Sequence, residues 1–304
     1  MLVPVILFVY NRPWHTRQTI DSLKKNELAD STELIIFSDA PKNEKAESQV
    51  KEVRDYLKTI EGFKSVKIIE REHNWGLAAS IIDGVTEVVN EYGRVIVLED
   101  DIVTSPVFLQ YMNTALDFYA DKKDVWHISG WSYPIESEGL GDAFLWRGMN
   151  CWGWATWSDR WKHFKKDPEG LINSWSSDDK KAFDLGGTGV FWPQVLGNAT
   201  GKLNTWAIFW YATIFQNKGL CLNPIVSYVD NIGHDGSGVH CGNDTSHLSA
   251  ELCQKESINL PTDIFESKLA VSRIIKFYRK NTIPLYKRAV NKISRILIGR
   301  NLVQ

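Results

Sequence analysis

Three consecutive carboxylates follow a short apolar run, and they are the residues of this chain best suited to chemistry. Val95 to Leu98 is apolar throughout, and Glu99, Asp100 and Asp101 come directly after it. An apolar run of this length with β-branched residues predicts a strand that is buried on both faces of a parallel sheet. Adjacent acids repel one another, so the triplet needs a cation or hydrogen-bond donors beside it.

The position of the triplet predicts what it binds. Ligands of open α/β sheets lie at the carboxyl ends of the strands, and hard divalent cations prefer carboxylate oxygen. We therefore predict a Mg²⁺ or Mn²⁺ site that clamps a diphosphate. Taken alone, the triplet could also be a charged loop without a ligand.

The segments before the triplet alternate between strands and helices. Apolar runs and helical spacing predict, in order, a strand at 3–10, a helix over 14–25, a strand at 34–37, a helix over 45–60, a strand at 66–69 and a helix over 77–90. This order is typical of a parallel sheet with right-handed crossovers. The predicted fold is α/β, with a mostly parallel twisted sheet flanked by helices. Neither G-x-G-x-x-G nor G-x-x-x-x-G-K occurs in this half, which argues against dinucleotide redox and P-loop chemistry.

Polar residues follow each of these strands, where a parallel sheet brings the strand ends together. Asn11 and Arg12 follow the first strand, Asp39 the second, and Asn74 and Gly76 the third. Arginine can pair with phosphate, and a glycine turn at a helix start can offer backbone N–H groups to an anion. Each residue alone is more commonly a turn or cap residue, but together with the triplet they predict a nucleotide site.

The order of these motifs resembles glycosyltransferases of the GT-A fold, most closely the N-acetylglucosaminyltransferase I relatives and their bacterial counterparts. The resemblance extends over residues 3 to about 245, and Leu-Glu-Asp-Asp is its most specific part. It implies a metal-dependent, inverting enzyme that moves a hexosyl or N-acetylhexosaminyl group from a nucleoside diphosphate sugar, with UDP-sugar as the expected donor. The acceptor would be a glycan or a lipid-linked sugar, in surface polysaccharide biosynthesis.

The resemblance also implies roles for single residues. Asp101 would ligate Mn²⁺ or Mg²⁺, Glu99 would hold a hydroxyl of the transferred sugar, and Asp100 would hold the ribose or the sugar. Arg12 would contact the nucleotide, and Asp39 would recognise the base. The complete predicted donor-binding set is Asn11, Arg12, Asp39, Asn74, Gly76, Glu99, Asp100, His234 and His240.

The second half of the chain is rich in aromatic residues. The chain has 13 tryptophans, and four of them lie in the ten residues from Trp152 to Trp161. Indole faces stack on sugar rings and are common at wet interfaces. We therefore predict an acceptor-sugar platform that includes Trp131, Trp152 and Trp154, with a tryptophan-rich core as the alternative. A helix is predicted over 206–218, followed by short strands at 221–222 and 225–228.

The catalytic base is the point where this chain departs from the resemblance. An inverting transfer needs a group that takes the proton of the acceptor hydroxyl. In the family this is an aspartate directly after the tryptophan that starts the 206–218 helix, and here the residue is Ala207. Asp159 is the predicted replacement and Asp235 the second candidate. Alternatively, Asp159 only stabilises a helix N-terminus by pairing with the helix dipole. A retaining mechanism, or a chain whose activity is lost or altered, would also explain Ala207.

A glycine-rich segment at 230–240 contains His234, Asp235 and His240. We predict that it covers the donor phosphates, where either histidine could complete the metal shell or pair with phosphate. A solvent-exposed loop is the alternative.

The composition of the chain limits the classes of protein to which it can belong. The 304 residues are 43% hydrophobic and 24% charged with a net charge of −2, which is typical of a globular protein and gives no argument for nucleic acid. The four cysteines form no close pair, so neither a zinc site nor a disulfide framework is indicated. We predict a catalytic domain over 1–262, divided into a nucleotide-sugar half (1–104) and an acceptor half (105–262), and a tail over 263–304.

The tail is basic and amphipathic. It contains no acid from Ser267 onward, and Pro284 divides it into two segments that predict basic amphipathic helices. Such helices suit an anionic membrane surface, so we predict a cytoplasmic protein that is peripheral at the inner face of the membrane. A helix pair packed on the domain with a solvated basic face is the alternative.

Two other functions compete with the glycosyltransferase. A sugar nucleotidyltransferase needs a glycine-rich, basic phosphate loop after the first strand, and residues 10–13 do not form one. A carbohydrate-binding protein without activity would explain the tryptophans and Ala207, but it gives no reason for the acidic triplet.

Overall fold

The strands of the chain form one large sheet and one small sheet. The computed structural model describes residues 2–234 and 251–281. Its strands are β1 (Val5–Val9), β2 (Glu33–Ser38), β3 (Ser65–Glu70), β4 (Arg94–Glu99), β5 (Ile102–Thr104), β6 (Val125–Ser129), β7 (Ala143–Trp146), β8 (Trp154–Trp157), β9 (Leu220–Pro224) and β10 (Val229–Asn231). Its α-helices are α1 (Pro13–Lys24), α2 (Glu44–Leu57), α3 (Leu77–Tyr92), α4 (Phe108–Phe118), α5 (Ser158–Trp161), α6 (Pro168–Ser174), α7 (Ser177–Phe183), α8 (Trp192–Ala199), α9 (Ala207–Gln216) and α10 (Lys268–Asn281).

The large sheet contains eight strands in the order β3-β2-β1-β4-β8-β6-β9-β7. Its first four strands are parallel, since β1 pairs with β2 and β4, and β2 pairs with β3. Strand β8 runs antiparallel to both β4 and β6, and β7 runs antiparallel to β9. The predicted α/β fold, a mostly parallel sheet flanked by helices, is therefore confirmed.

The central strand β1 separates two apolar layers, and this explains its continuous apolar sequence. Successive side chains of a strand point to opposite faces of the sheet. Val5 and Leu7 pack in the layer that contains α1 and α4, whereas Ile6 and Phe8 pack in the layer that contains α3 and α9. Because both faces are covered, the strand carries no polar residue between Val5 and Val9.

The small sheet joins two segments that are far apart in sequence. Strand β5 directly follows the acidic triplet and pairs antiparallel with β10, with Val103 opposite Asp230 and Ile102 opposite Asn231. The strand predicted at 225–228 is wrong, because those residues form a loop and the strand begins at Val229. This pairing brings the start of the glycine-rich segment beside the triplet.

Helix α10, the first helix of the predicted tail, packs on the domain. Its apolar residues Ala270 and Ile274 are fully buried, and Arg273 donates to the backbone carbonyls of Glu136 at 2.7 Å and Glu138 at 2.6 Å. The apolar face is therefore used inside the protein, as in the alternative interpretation of this helix. The folded unit continues past the predicted boundary at residue 262 and includes α10.

The second predicted basic helix, after Pro284, lies outside the described residues. Across 2–234 and 251–281, no helix is both long enough and apolar enough to cross a bilayer.

Candidate active site

The acidic triplet lies at the end of β4, as predicted. Glu99 is the last residue of the strand, and Asp100 and Asp101 form the turn that leads into β5. The hydroxyl of Thr19 in α1 donates to the backbone carbonyl of Asp100 at 2.9 Å. The turn is thus held by a neighbouring helix on one side and by the small sheet on the other.

Arg12 supplies the positive charge that the triplet requires. Its Nη1 lies 2.7 Å from Oδ2 of Asp101 and 3.4 Å from Oδ1 of Asp100. The side chains of Asp100 and Asp101 are only 12% and 9% exposed, so water screens their repulsion poorly. The two carboxylates converge on one point, which the guanidinium of Arg12 occupies.

Burial makes two of the three carboxyls hold a proton more tightly than usual. Desolvation and the charge of Asp101 raise the pKa of Asp100 to about 7, although Arg12 acts in the opposite direction. Desolvation and the charges of its two neighbours raise the pKa of Glu99 well above its ordinary value. A site that retains protons in this way favours additional positive charge, as a metal site does before its ion binds.

Gly233 packs directly against the triplet, and the sequence analysis missed it. The N–H of Ile232 donates to the backbone carbonyl of Asp101 at 2.9 Å, which fixes this part of the segment. A methyl group on Gly233 would lie 2.2 Å from Oδ2 of Asp101 and 2.8 Å from Nη2 of Arg12. Any larger residue would therefore force the side chains of Asp101 and Arg12 to shift. The glycine-rich composition indicated the segment but gave no signal for this residue.

Asp39 holds the loop that follows β3. Its Oδ1 accepts the N–H groups of Ala40 and Trp75, each at 2.9 Å. Its Oδ2 accepts the N–H of Gly76 at 2.9 Å and Nδ2 of Asn74 at 3.1 Å. Asp39, Asn74 and Gly76 are thus brought together, as predicted. Four accepted bonds fill the lone pairs of the carboxylate, so direct recognition of a base, which remains a prediction, would require it to exchange one of them.

The other predicted donor-site residues are placed as follows. Asn11 precedes Arg12 and donates to the side chain of Gln49 at 3.2 Å. His234 follows Gly233 and contacts the ring of Trp152, with 5.3 Å between the ring centroids. His240 lies outside the described residues.

His234, which follows Gly233, lines an aromatic cavity of about 350 Å³. Its lining includes Trp131, Trp152, His234 and Ala207. The rings of Trp131 and Trp152 meet edge to face with centroids 4.9 Å apart. Two of the three predicted acceptor tryptophans therefore share one cavity, and the position at which the resembled family carries its base is part of the same wall.

The third predicted acceptor residue, Trp154, belongs to the core. It is fully buried in β8, and its ring stacks on His127 and on Trp206 with centroid distances of 5.3 and 5.1 Å. The prediction that Trp154 contacts an acceptor is therefore wrong. Of the four tryptophans between 152 and 161, only Trp152 is more than slightly exposed, because Trp154 and Trp161 pack in the layer of α9 and Trp157 packs in the layer of α4.

Asp159 lies at the opposite end of β4 from the triplet. Trp157, two residues before it, pairs with Arg94 at the start of β4, because β8 runs antiparallel. The carboxylate of Asp159 lies 2.9 Å from Nζ of Lys123 and 2.7 Å from Nη1 of Arg160. The assignment of Asp159 as the base is corrected accordingly, since the full length of the strand separates it from the donor site.

The described lining of the cavity contains neither Asp nor Glu. Asp235, the second candidate base, lies outside the described residues and directly follows His234 in the chain.

The carboxylates fit a divalent cation only if the donor supplies further ligands. In the described part of the chain, no three His, Cys, Asp or Glu side chains are grouped to hold a metal ion. Asp100 and Asp101 do present oxygens to a single point, and hard cations accept carboxylate, phosphate and water oxygen. A cation at Asp101 would therefore complete its coordination with the diphosphate and water.

The N-terminal region is similar to a known protein family. Residues 5–124 match the family model described as glycosyl transferase family 2. This region is therefore similar to family 2 glycosyltransferase domains. The expected resemblance to glycosyltransferases is confirmed at this level, and no finding points to N-acetylglucosaminyltransferase I relatives in particular. A search of curated proteins found no match to the chain.

Several solved structures are similar to parts of this chain. S. aureus TarS 1-349 aligns with 12% identity and a TM-score of 0.36, over 52% of this chain and 47% of that one. The same fragment in complex with UDP aligns with 16% identity and a TM-score of 0.31, over 42% and 35%. The mannosyltransferase PcManGT from Pyrobaculum calidifontis, in complex with GDP-Man and Mn²⁺, aligns with 11% identity and a TM-score of 0.42, over 71% and 68%. The chain thus spans about half the length of the TarS fragment that it matches.

Proposed function

We propose that this protein is a metal-dependent glycosyltransferase that moves a hexosyl or N-acetylhexosaminyl group from a UDP-sugar to a glycan or lipid-linked acceptor. The observation that carries the proposal is the convergence of Asp100, Asp101 and Arg12 at the end of β4, within the region that matches family 2. Arg12 brings one positive charge to two buried carboxylates. A divalent cation beside them would add positive charge and could also bind the diphosphate of the donor.

Each residue of the donor site has a proposed task. Arg12 binds the donor phosphates through the guanidinium that now pairs with the acids. Asp101 holds Mn²⁺ or Mg²⁺, which would stabilise the charge of the departing diphosphate. Glu99 accepts a hydrogen bond from a hydroxyl of the transferred sugar. Gly233 keeps the covering segment close to the acids because it has no side chain.

The acceptor is proposed to attack from the aromatic cavity, with inversion. A lone pair of the acceptor hydroxyl bonds to the anomeric carbon, the bond from that carbon to the diphosphate oxygen breaks, and a base takes the hydroxyl proton. Asp235 is the proposed base, because the described lining of the cavity has no carboxylate and Asp235 follows His234, which lies in its wall.

The cellular setting is proposed from the sequence of the tail. The segment after Pro284 carries five basic residues and no acid, which suits an anionic membrane surface. A cytoplasmic enzyme at the inner face of the membrane, acting in surface polysaccharide biosynthesis, would meet a lipid-linked acceptor there.

A thermal-shift screen tests the proposed function. UDP-, GDP-, dTDP- and CMP-sugars are added to the purified full chain with and without Mn²⁺. A ligand at about 100 times its Kd stabilises a protein by about 2.7 kcal/mol, so we expect a UDP-sugar with Mn²⁺ to raise Tm by several degrees and either component alone to do much less. Stabilisation by free sugars, with no response to nucleotide and metal, would instead favour the carbohydrate-binding alternative.

A further inference from the structure

The aromatic cavity is completed by α10, the helix that sequence analysis assigned to a separate tail. Phe277 and Tyr278 of α10 line it, together with Trp131 and Tyr133. The hydroxyls of Tyr133 and Tyr278 lie 2.8 Å apart, and the ring of Tyr278 contacts that of Phe191 edge to face. These contacts make α10 a wall of the cavity and give the helix a place in the candidate active site.

The side-chain amide nitrogen of Asn150 has no hydrogen-bond partner among the described residues. Asn150 lines the cavity, and its Nδ2 is buried and makes no hydrogen bond to any described residue. A buried N–H donor without an acceptor costs free energy, and native proteins seldom leave one. Because Asn150 lines the cavity, a ligand or water oxygen bound there is a candidate partner for this N–H group.

The backbone of Asn150 is held in place by a buried histidine. Its carbonyl oxygen lies 3.0 Å from Nε2 of His127, and Nδ1 of the same ring accepts from Nε1 of Trp210 at 3.2 Å. Burial lowers the pKa of His127 to about 3, so the ring is neutral. Because Nδ1 accepts, Nε2 carries the proton and donates to Asn150. These buried hydrogen bonds thus fix the position of the Asn150 backbone, from which the side-chain amide extends.

The chemistry of the lining selects one class of ligand. A sugar ring presents C–H groups to aromatic faces and hydroxyl groups to hydrogen-bond donors such as an amide, whereas a hydrocarbon chain would leave Asn150 unpaired. None of the described lining residues is Asp, Glu, Lys or Arg. A volume of about 350 Å³ is at the lower end of the usual range for ligand sites, about 300–1,000 Å³.

We propose that this cavity binds the terminal pyranose of an acceptor glycan, with Asn150 donating a hydrogen bond to a ring hydroxyl and α10 forming one wall. The inference rests on the proposed function and specifies its acceptor. The acceptor site therefore includes a helix outside the region that matches family 2.

Binding of simple sugars tests the inference without knowledge of the donor. The full chain is titrated with methyl pyranosides of neutral hexoses and N-acetylhexosamines, followed by tryptophan fluorescence and saturation-transfer NMR. We expect at least one to bind, and Asn150→Ala to weaken it about three- to tenfold, the effect of one hydrogen bond. Tyr278→Ala should weaken it more, and Tyr278→Phe, which keeps the ring, should weaken it less. Asn90→Ala, on the exposed face of α3, is the matched control and should bind normally.

Affinity for UDP with Mn²⁺, measured on the same variants, separates the inference from the proposed function. If the inference is right, all the cavity variants keep the wild-type nucleotide affinity. Equal pyranoside binding by wild type, Asn150→Ala and Tyr278→Ala overturns the inference, as does preference for an alkyl alcohol over every pyranoside. A wild-type protein that binds a pyranoside in an Asn150-dependent way but ignores UDP with Mn²⁺ retains the sugar site and overturns the proposed transferase. Circular dichroism of each variant checks its folding.

Discussion

The proposed donor edge, at the end of β4, and the proposed acceptor cavity differ in the chemistry of their side chains. The donor edge consists of charged residues that directly follow strands, with Nη1 of Arg12 within 3.4 Å of the carboxylates of Asp100 and Asp101. The cavity is lined by uncharged aromatic and polar side chains from segments as distant in sequence as Trp131 and Tyr278. Charge determines the first site and shape determines the second, so changes to each should have different consequences.

The largest expected effect comes from removing one charge at the donor edge. Asp101→Asn keeps the size of the side chain but removes the anion that pairs with Arg12 at 2.7 Å. We expect affinity for UDP with Mn²⁺ to fall by at least about 100-fold, because even residues behind the metal ligands typically account for 10–100-fold. Isothermal titration calorimetry measures it. Asp121→Asn, on an exposed turn, is the control. Wild-type affinity in Asp101→Asn would mean that Arg12 alone holds the diphosphate.

Gly233→Ala tests whether shape also matters at the donor edge. The added methyl would lie 2.2 Å from Oδ2 of Asp101, and overpacking of this kind costs about 1–3 kcal/mol. Affinity for nucleotide with Mn²⁺ should therefore fall roughly tenfold or more. Gly197→Ala is the control, since its methyl would meet only the side chain of Leu203. If Gly233→Ala binds normally, the segment moves away from the acids when the donor enters.

The donor edge could be predicted from sequence because its signal is local. Three consecutive acids after an apolar run repel one another, and core packing gives no reason for them, so they stand out in the sequence. The strand–helix order then places them at one sheet edge with Arg12 and Asp39. Gly233 could not be predicted, because its role depends on the pairing of β5 with β10, which joins residues about 130 positions apart. A short, weakly patterned strand of this kind gives almost no periodic signal.

The acceptor side was predicted less well, for a physical reason. Trp152 and Trp154 are two residues apart and have the same chemistry, yet one lines the cavity and the other is core. Their difference depends on where β8 begins, which hydrophobicity does not specify. Asn150 carried no signal at all, since only the finished structure shows that its amide lacks a partner.

The pair Trp152→Ala and Trp154→Ala separates core from lining. Removing a fully buried tryptophan costs about 3–5 kcal/mol, so we expect Trp154→Ala to lower the free energy of unfolding by about that amount in urea titrations. Trp152 is only partly buried, so its removal should cost clearly less stability and instead weaken pyranoside binding. Equal losses of stability in the two variants would place Trp152 in the core as well.

The pH dependence of the donor edge follows from Asp100. Its pKa of about 7 in the folded, metal-free protein exceeds the value of about 3.9 in unfolded chains. Between these values the native state binds more protons, so its contribution to stability is present at low pH and declines as pH rises toward 7. A cation must displace that proton, so stabilisation by Mn²⁺ should increase from pH 5.5 to 8. Differential scanning fluorimetry tests this. In Asp100→Asn the increase should be smaller, and a pH-independent response in the wild type would contradict the prediction.

The smallest effect on stability and turnover is expected from Asp159→Asn, and wild-type turnover in this variant would show that Asp159 is not the base. Burial raises the pKa of Asp159, but hydrogen bonds from Lys123 and Arg160 outweigh it, so the pKa is lowered and the group is a structural anion. The ion pair is partly exposed, with 40% of the carboxylate side chain accessible, and such pairs contribute about 0–1 kcal/mol. We expect a small loss of stability and wild-type turnover of the UDP-sugar, measured as release of UDP.

Lys123→Met removes the same ion pair from its other side and serves as the control for Asp159→Asn. If both variants lose the same small amount of stability and turn over normally, Asp159 acts only through the pair. Loss of turnover in Asp159→Asn alone would show that the carboxylate reaches the acceptor. Because β8 runs antiparallel to β4, that result would require the chemistry to occur at the opposite edge of the sheet from the acidic triplet. The division into a charged donor edge and an uncharged cavity beside it would then be wrong.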